Sequence, residues 1–358
     1  MTGEDEKSAS EAGADGGSAA DAKGSDAGTE SGGITRRRML LGSGASIATL
    51  GGGRALYNTV LGYGQFGMGT NLEEQDIAPL ATERLVPSYD ESIGGTRIRA
   101  VGSGLTAEEA GDEAFLRFGT DPVDAAADLD SRLGLEGRFR ELFVDLSAFR
   151  AGEYAFEFHD PPAFFDRLGG GDVRPEVVTT VRSNWDRVID PETVGQFADA
   201  DPSDPPAVVE GLVSGFRDHA TYDVPRYLAG SVEDNVILGA ADLRRYFEDD
   251  VGFEALLESE ETGMFCWELV YRSIEALQAV AADRQSVPVA ACHVSDGRHK
   301  HAYTGILGAI RVGGELRFPM TFVDYTHTTL YDDVGLTGVL GEGLAAYDDG
   351  HRADEIYW

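Results

Sequence analysis

The sequence predicts an α+β fold in which a helix carrying a cysteine packs on an antiparallel sheet, after a mainly helical region. Three observations predict it. Residues 265–282 place Cys266, Leu269, Val270, Ser273, Ile274 and Leu277 at the i, i+3, i+4, i+7 spacing of one buried helix face. Val287 to Val294, His301 to Val312 and Glu315 to Asp324 read as strands, with Ser295-Asp296-Gly297 as a turn after the first and Gly313-Gly314 as a two-residue hairpin turn joining the last two. Upstream, Phe115 to Phe118, Phe139 to Val144, Phe164 to Leu168, and Val177, Val178, Val181 and Trp185 read as pieces of amphipathic helices.

A chain of 358 residues with 42% hydrophobic content can bury a sizeable core and has room for two domains. Its 63 acidic residues against 29 basic ones give a formal net charge of −34. Among the bases only Lys7, Lys23 and Lys300 are lysines. Such self-repulsion opposes compaction at low ionic strength and is screened by concentrated salt, where the Debye length falls to about 3 Å at 1 M. Spread acidity with almost no lysine resembles proteins of extreme halophiles. Nucleic-acid binding is excluded as an expectation, because no segment supplies a basic footprint.

Residues 1–34 are Gly, Ala, Ser, Asp and Glu with almost no apolar side chain, so they are expected to form a disordered acidic tail. Residues 35–62 follow, opening Thr35-Arg36-Arg37-Arg38-Met39-Leu40-Leu41. Arg36 and Arg37 ahead of a glycine-containing apolar run resemble a twin-arginine export signal, with Met39 where Phe is more usual. That resemblance implies a twin-arginine translocase as partner and an exported, extracellular or cell-surface location. Gly51-Gly52-Gly53-Arg54 interrupts the apolar run, which makes it a poor spanning helix and leaves cleavage or retention as a membrane tether open.

Residues 70–230 are expected to be folded and chemically quiet. The cluster Asp201-Pro202-Ser203-Asp204-Pro205-Pro206 marks a boundary or a long surface loop. His159, before a turn signal, and His219, in a helical stretch, read as structural. Residues 231–345 hold the chemistry, and 346–358 read as an acidic C-terminal tail.

Both cysteines and four of the seven histidines fall between Gly263 and Asp333. Cys266 sits in the first turn of its helix, where the positive end of the helix dipole favours a thiolate. If Gly313-Gly314 sets the register, Tyr303 faces Asp324 and His301 faces Thr326. His301 and Asp324 are then diagonal neighbours on one face, about 7–8 Å apart at Cα. Asp324 continues the row Leu316, Phe318, Met320 and Phe322. A carboxylate on such a face requires a partner, and His301 is the nearest. A thiol, an imidazole and a carboxylate in that order suit nucleophilic attack on a carbonyl, with the histidine moving the proton and the acid fixing its tautomer. Backbone N–H groups at the helix start can supply an oxyanion donor. Asn235 and Gln196 are candidates for a second donor, and Trp267 and Tyr303 for the pocket lining.

Gly263-x-x-Cys266-Trp267, His301-Ala302-Tyr303 and Val323-Asp324-Tyr325-Thr326 resemble the core of the transglutaminase-like superfamily, over roughly residues 230–340. The resemblance implies a papain-like α+β fold, Cys266 as nucleophile, His301 as base and Asp324 as orienting acid. It implies thiol-dependent hydrolysis or transfer of a peptide or protein amide, with no cofactor and no metal. Two features depart from the family pattern: an extra residue between Gly263 and Cys266, and Glu268-Leu269-Val270 where a small residue is usual.

Three other readings use the same residues. His299 and His301 on one strand face, with His293, Asp324 and His327, make a candidate set for a metal-dependent hydrolase. A non-catalytic surface or binding protein would keep the triad residues as core. A Cys266–Cys292 disulfide would cap the nucleophile. Asp332 and Asp333 read as loop acids, either of which replaces Asp324 if the strand register slips by one.

Overall fold

The computed structural model describes residues 76–159, 161–182, 189–223, 226, 251–258, 262–297, 301–326 and 353–358. Arg36, Arg37, Trp185, Asn235, His299, His327, Asp332 and Asp333 lie outside them. The protein is α+β, with antiparallel sheets and packed helices.

The chain enters through α1 (Ala78–Glu83) and then forms a four-stranded meander: β1 (Asp90–Ile93), β2 (Thr96–Val101), β3 (Gly104–Glu109) and β4 (Asp112–Arg117). This corrects the helical reading of Phe115 to Phe118, because Phe115 to Arg117 lie in a strand. The tight turns explain the difference: Gly94 and Gly95 at φ 59° and 92°, and Ala110 and Gly111 at 52° and 93°, reverse the chain every few residues. Local pairing then overrides a short apolar run that fits either period.

Helices α2 (Val123–Leu133) and α3 (Arg138–Ala151) cover the meander, burying Leu129, Phe139, Leu142, Phe143 and Leu146 against Ile98 and Leu105. Asp130 holds the entry to α3: its carboxylate accepts from the N–H groups of Gly137, Phe139 and Arg140 at 2.6, 2.8 and 3.1 Å. Asp145, 1% exposed, ties α3 to the rest of the molecule by accepting from Arg174 Nε at 2.8 Å and from Arg311.

The main sheet gathers strands from distant parts of the chain. Its order is β13 (Glu355–Tyr357), β9 (Ala290–Asp296), β10 (His301–Leu307), β12 (Glu315–Val323), β11 (Ile310–Val312) and β6 (Asp172–Val173), with β5 (Tyr154–Phe158) parallel to β12. Residues 70–230 therefore contribute two strands to the sheet that carries the predicted site, and the C-terminal end contributes an edge strand. The expected acidic tail at 346–358 is corrected at 355–357, where pairing with β9 buries Ile356.

Gly313 and Gly314, at φ 60° and 89°, make the predicted two-residue turn. Thr304 pairs with Val323 and Ile310 with Arg317, so one register runs through β10, β11 and β12. It is the register the sequence predicts. The single strand expected from His301 to Val312 is interrupted after Leu307. Pro319 lies opposite Gly308 and has no N–H to donate, so only the bond from Gly308 N–H to Pro319 O remains there, at 2.9 Å. Ser295 and Asp296 belong to β9 rather than to a turn.

Helix α9 (Cys266–Gln278) lies on one face of this sheet with α4 (Pro161–Gly169), α6 (Pro191–Ala198), α7 (Pro205–His219) and α8 (Phe253–Leu257) around it. All six residues of the predicted apolar stripe are buried in that layer. Residues 199–204 form a short loop between α6 and α7, which pack together, and not a domain boundary. On the opposite face, α1 and α5 (Pro175–Val181) cover Leu316, Phe318, Met320, Phe322 and Tyr303. No helix of the described residues is long and apolar enough to cross a membrane.

Candidate active site

The chain reaches the site through β8 (Thr262–Met264), which pairs in parallel with β7 (Ala220–Tyr222) and turns into α9 at Phe265. Gly263 is required at this approach. A Cβ there would lie 3.0 Å from the Asp223 carboxyl, whose Oδ1 accepts from Arg226 N–H at 3.0 Å. Cys266 is the first helical residue and 6% exposed.

Helix and strand are pinned together two turns further on, where the Ser273 and Thr304 hydroxyls lie 2.6 Å apart in the core. Seven helical residues rise about 10.5 Å and three strand residues about 10 Å. Running back from that contact, the helix start and the strand start come level, which brings Cys266 to His301.

His301 and Asp324 are 3% exposed each, and His301 Nε2 lies 2.5 Å from Asp324 Oδ2. Asp324 Oδ1 accepts from the N–H of Thr326 at 2.8 Å, so both carboxylate oxygens are held. Burial alone would lower the pKa of the imidazole. The charge and hydrogen bond of Asp324, with smaller contributions from the neighbouring Cys266, outweigh that and raise it well above 6.5. With Nε2 committed to Asp324, Nδ1 is the nitrogen available to exchange a proton with sulfur.

The faces refine the sequence reading. Thr304 meets α9, so by alternation His301, Tyr303 and Asp324 point to the opposite face. The row Leu316, Phe318, Met320 and Phe322 is the core of that opposite face, not the surface under the helix. Cys266 therefore meets His301 at the end of the sheet, where a side chain from either face can turn over the strand terminus. Tyr303 is 1% exposed, its ring 6.3 Å from that of His301 and 5.9 Å from Phe322. It is a floor beneath the imidazole and not an open pocket wall.

Trp267, which follows Cys266 in the chain, is 37% exposed. Gln196 is exposed on α6, 3.5 Å from Glu192, and its place on the surface does not suit an oxyanion donor. Asp296, fully buried, lies opposite His301 in the β9–β10 register, a second carboxylate hidden by reading it as a turn.

The residues missed by sequence reasoning are Glu268 and Arg226. Glu268 Oε2 accepts from Phe265 N–H at 2.7 Å and so caps the helix that presents Cys266. A carboxylate there would by itself oppose a thiolate two residues away. Arg226 offsets it: its guanidinium is 2.8 Å from Glu268 Oε1, 4.5 Å over the Phe265 ring and 5.6 Å over Trp267. Arg226 and Glu268 are 5% and 8% exposed. Glu at the third helical position was a legible sign of a cap. Nothing in the sequence singles out Arg226.

The rival readings of the site separate here. Both cysteines are free thiols, so the Cys266–Cys292 disulfide is not formed. Cys292 is fully buried on the face opposite α9, where burial pushes its thiol far above the ordinary range. His293 pairs with Thr304 on the helix-covered face, so it does not join His301 and Asp324. Among the described residues no group of three or more His, Cys, Asp or Glu is arranged to hold a metal ion. Comparison with family models, with curated proteins and with solved structures found no match to this chain.

Proposed function

We propose that the protein is a thiol-dependent amide hydrolase or acyl transferase of the transglutaminase-like kind, working through an acyl-enzyme on Cys266. The observation that carries this reading is the 2.5 Å contact of buried His301 with buried Asp324, in an imidazole that also feels the Cys266 thiol.

The thiol proton passes to His301 before the attack, because Asp324 favours the imidazolium, and the thiolate then adds to the carbonyl carbon of the amide. The N–H groups of Cys266 and Trp267 open the helix, have no acceptor within it, and can meet the oxygen that becomes negative. The tetrahedral species collapses to a thioester, and the departing amine takes the proton from His301. Water or a second amine, deprotonated by the same imidazole, attacks the thioester carbonyl and returns Cys266 to its thiol. Export by a twin-arginine translocase and life in concentrated salt belong to the same proposal, and rest on Arg36-Arg37 and on the net charge of −34.

The test is to trap the acyl-enzyme. Full-length protein in molar salt, mixed with a glutamine-containing peptide and quenched in acid, should carry the acyl mass on the Cys266 peptide and release ammonia. Cys266→Ala should do neither. Acyl mass on Cys292, or ammonia release that survives Cys266→Ala, contradicts the proposal.

A further inference from the structure

A row of aromatic rings leaves the candidate site along the flank of α9. Trp267 and Tyr271 stand one turn apart on the helix, their ring centroids 5.4 Å from each other. Tyr271 is 5.7 Å from His293 on β9, and His293 is 5.6 Å from Tyr357 on the edge strand β13. The row runs from the first two turns of α9 across β9 to the edge strand β13. Its ends are open, Trp267 at 37% and Tyr357 at 36% exposed, and its middle is half-buried.

We propose that this row is a groove for the polypeptide chain of the substrate and takes apolar or aromatic side chains next to the amide that is cleaved. The proposal rests on the thiol reading of Cys266, because the row begins at the residue that follows the nucleophile.

The amide reading of the site makes the occupant a polypeptide. The ring planes meet at 69°, 81° and 44°, which presents a corrugated apolar surface of edges and faces. Three ring-to-ring steps give room for about four or five residues of extended chain.

The charges over the two ends of the row are already paired: Arg226, 5.6 Å over Trp267, is 2.8 Å from Glu268. Arg84 stacks on Tyr357 at 4.0 Å and pairs with Glu355 at 2.6 Å, so those two charges are turned toward each other. Burial keeps the His293 ring toward its neutral form. Apolar contact also suits a protein built for concentrated salt, where screening weakens attraction between exposed charges.

The experiment measures binding without turnover. Full-length Cys266→Ala is titrated in molar salt into two fluorescein-labelled hexapeptides, identical except that one carries Phe and the other Glu beside the glutamine. Anisotropy should show the Phe peptide binding about tenfold tighter or more. Adding Tyr357→Ser or, separately, Tyr271→Ser should remove most of that preference at an unchanged urea midpoint. Equal binding of the two peptides, a preference that survives both serine variants, or tighter binding of an oligosaccharide would overturn the proposal. The thiol reading has its own readout: if the Phe preference holds while Cys266 of the wild type alkylates no faster than Cys292, the groove stands and the chemistry fails.

Discussion

The Ser273 and Thr304 hydroxyls are 2.6 Å apart in a fully buried contact that fixes the depth of α9 on the sheet. Ser273 donates to the carbonyl of Val270 at 2.7 Å, which leaves its oxygen to accept from Thr304. It lies two turns along α9 from Cys266 and three residues along β10 from His301.

Removing one side of the joint should cost more than removing both. Ser273→Ala strips a buried hydroxyl of its partner and is expected to lose about 1–3 kcal/mol. Ser273→Ala with Thr304→Val should recover most of that, because no polar group is then left stranded. Urea unfolding of the two single variants and the double variant, at one salt concentration, measures the difference.

Asp324→Asn keeps the size of the side chain and its bond to Thr326 N–H, but cannot stabilise an imidazolium. Ammonia release and Cys266 alkylation should both fall by about a hundredfold or more, while the protein stays folded. Near-wild-type rates in a folded Asp324→Asn protein would remove the carboxylate from the mechanism.

Arg226 and Glu268 are expected to act as a pair. Glu268→Ala uncaps α9 and leaves a buried guanidinium without its carboxylate, at a cost of about 3–5 kcal/mol. Arg226→Met with Glu268→Leu should be much less destabilising, since a buried pair replaced by apolar side chains is often neutral. The double variant should still present Cys266 less well, because the cap on the Phe265 N–H is gone. Urea midpoints report the first effect and alkylation rates against pH report the second.

The His301–Asp324 contact has a defined dependence on pH. The folded pKa of His301 is raised above its unfolded value of about 6.5. Its contribution to stability is therefore full below about pH 6.5 and is lost as pH rises through the folded value. The stability advantage of wild type over His301→Gln should shrink as pH is raised from 6.5. Taking the difference between the two proteins cancels the many surface carboxylates. An advantage that is flat or that grows with pH contradicts the assignment.

What the sequence made legible was local. A diglycine turn and strict alternation set the register that places Tyr303 opposite Asp324, and the helix stripe set Cys266 at a helix start. Strands of two to five residues whose partners lie far along the chain were not legible. The strand Tyr154–Phe158 pairs with a segment near Phe318, and Glu355–Tyr357 is hidden in an acidic terminus. Which face of β12 lies under α9 was not legible either, since both faces are buried and alternation of burial gives no clue. Arg226 could not be found at all, because one arginine among many acquires a role only where the fold carries it to Glu268.

The central claim is that Cys266, not Cys292, is a thiol activated by His301. Full-length protein in molar salt, treated with iodoacetamide for graded times and digested, gives both rates by mass spectrometry. Cys266 should be alkylated about a hundredfold faster than Cys292 or more, with that excess lost in His301→Ala. Equal rates for the two cysteines in folded protein, or an excess unchanged in His301→Ala, would contradict it.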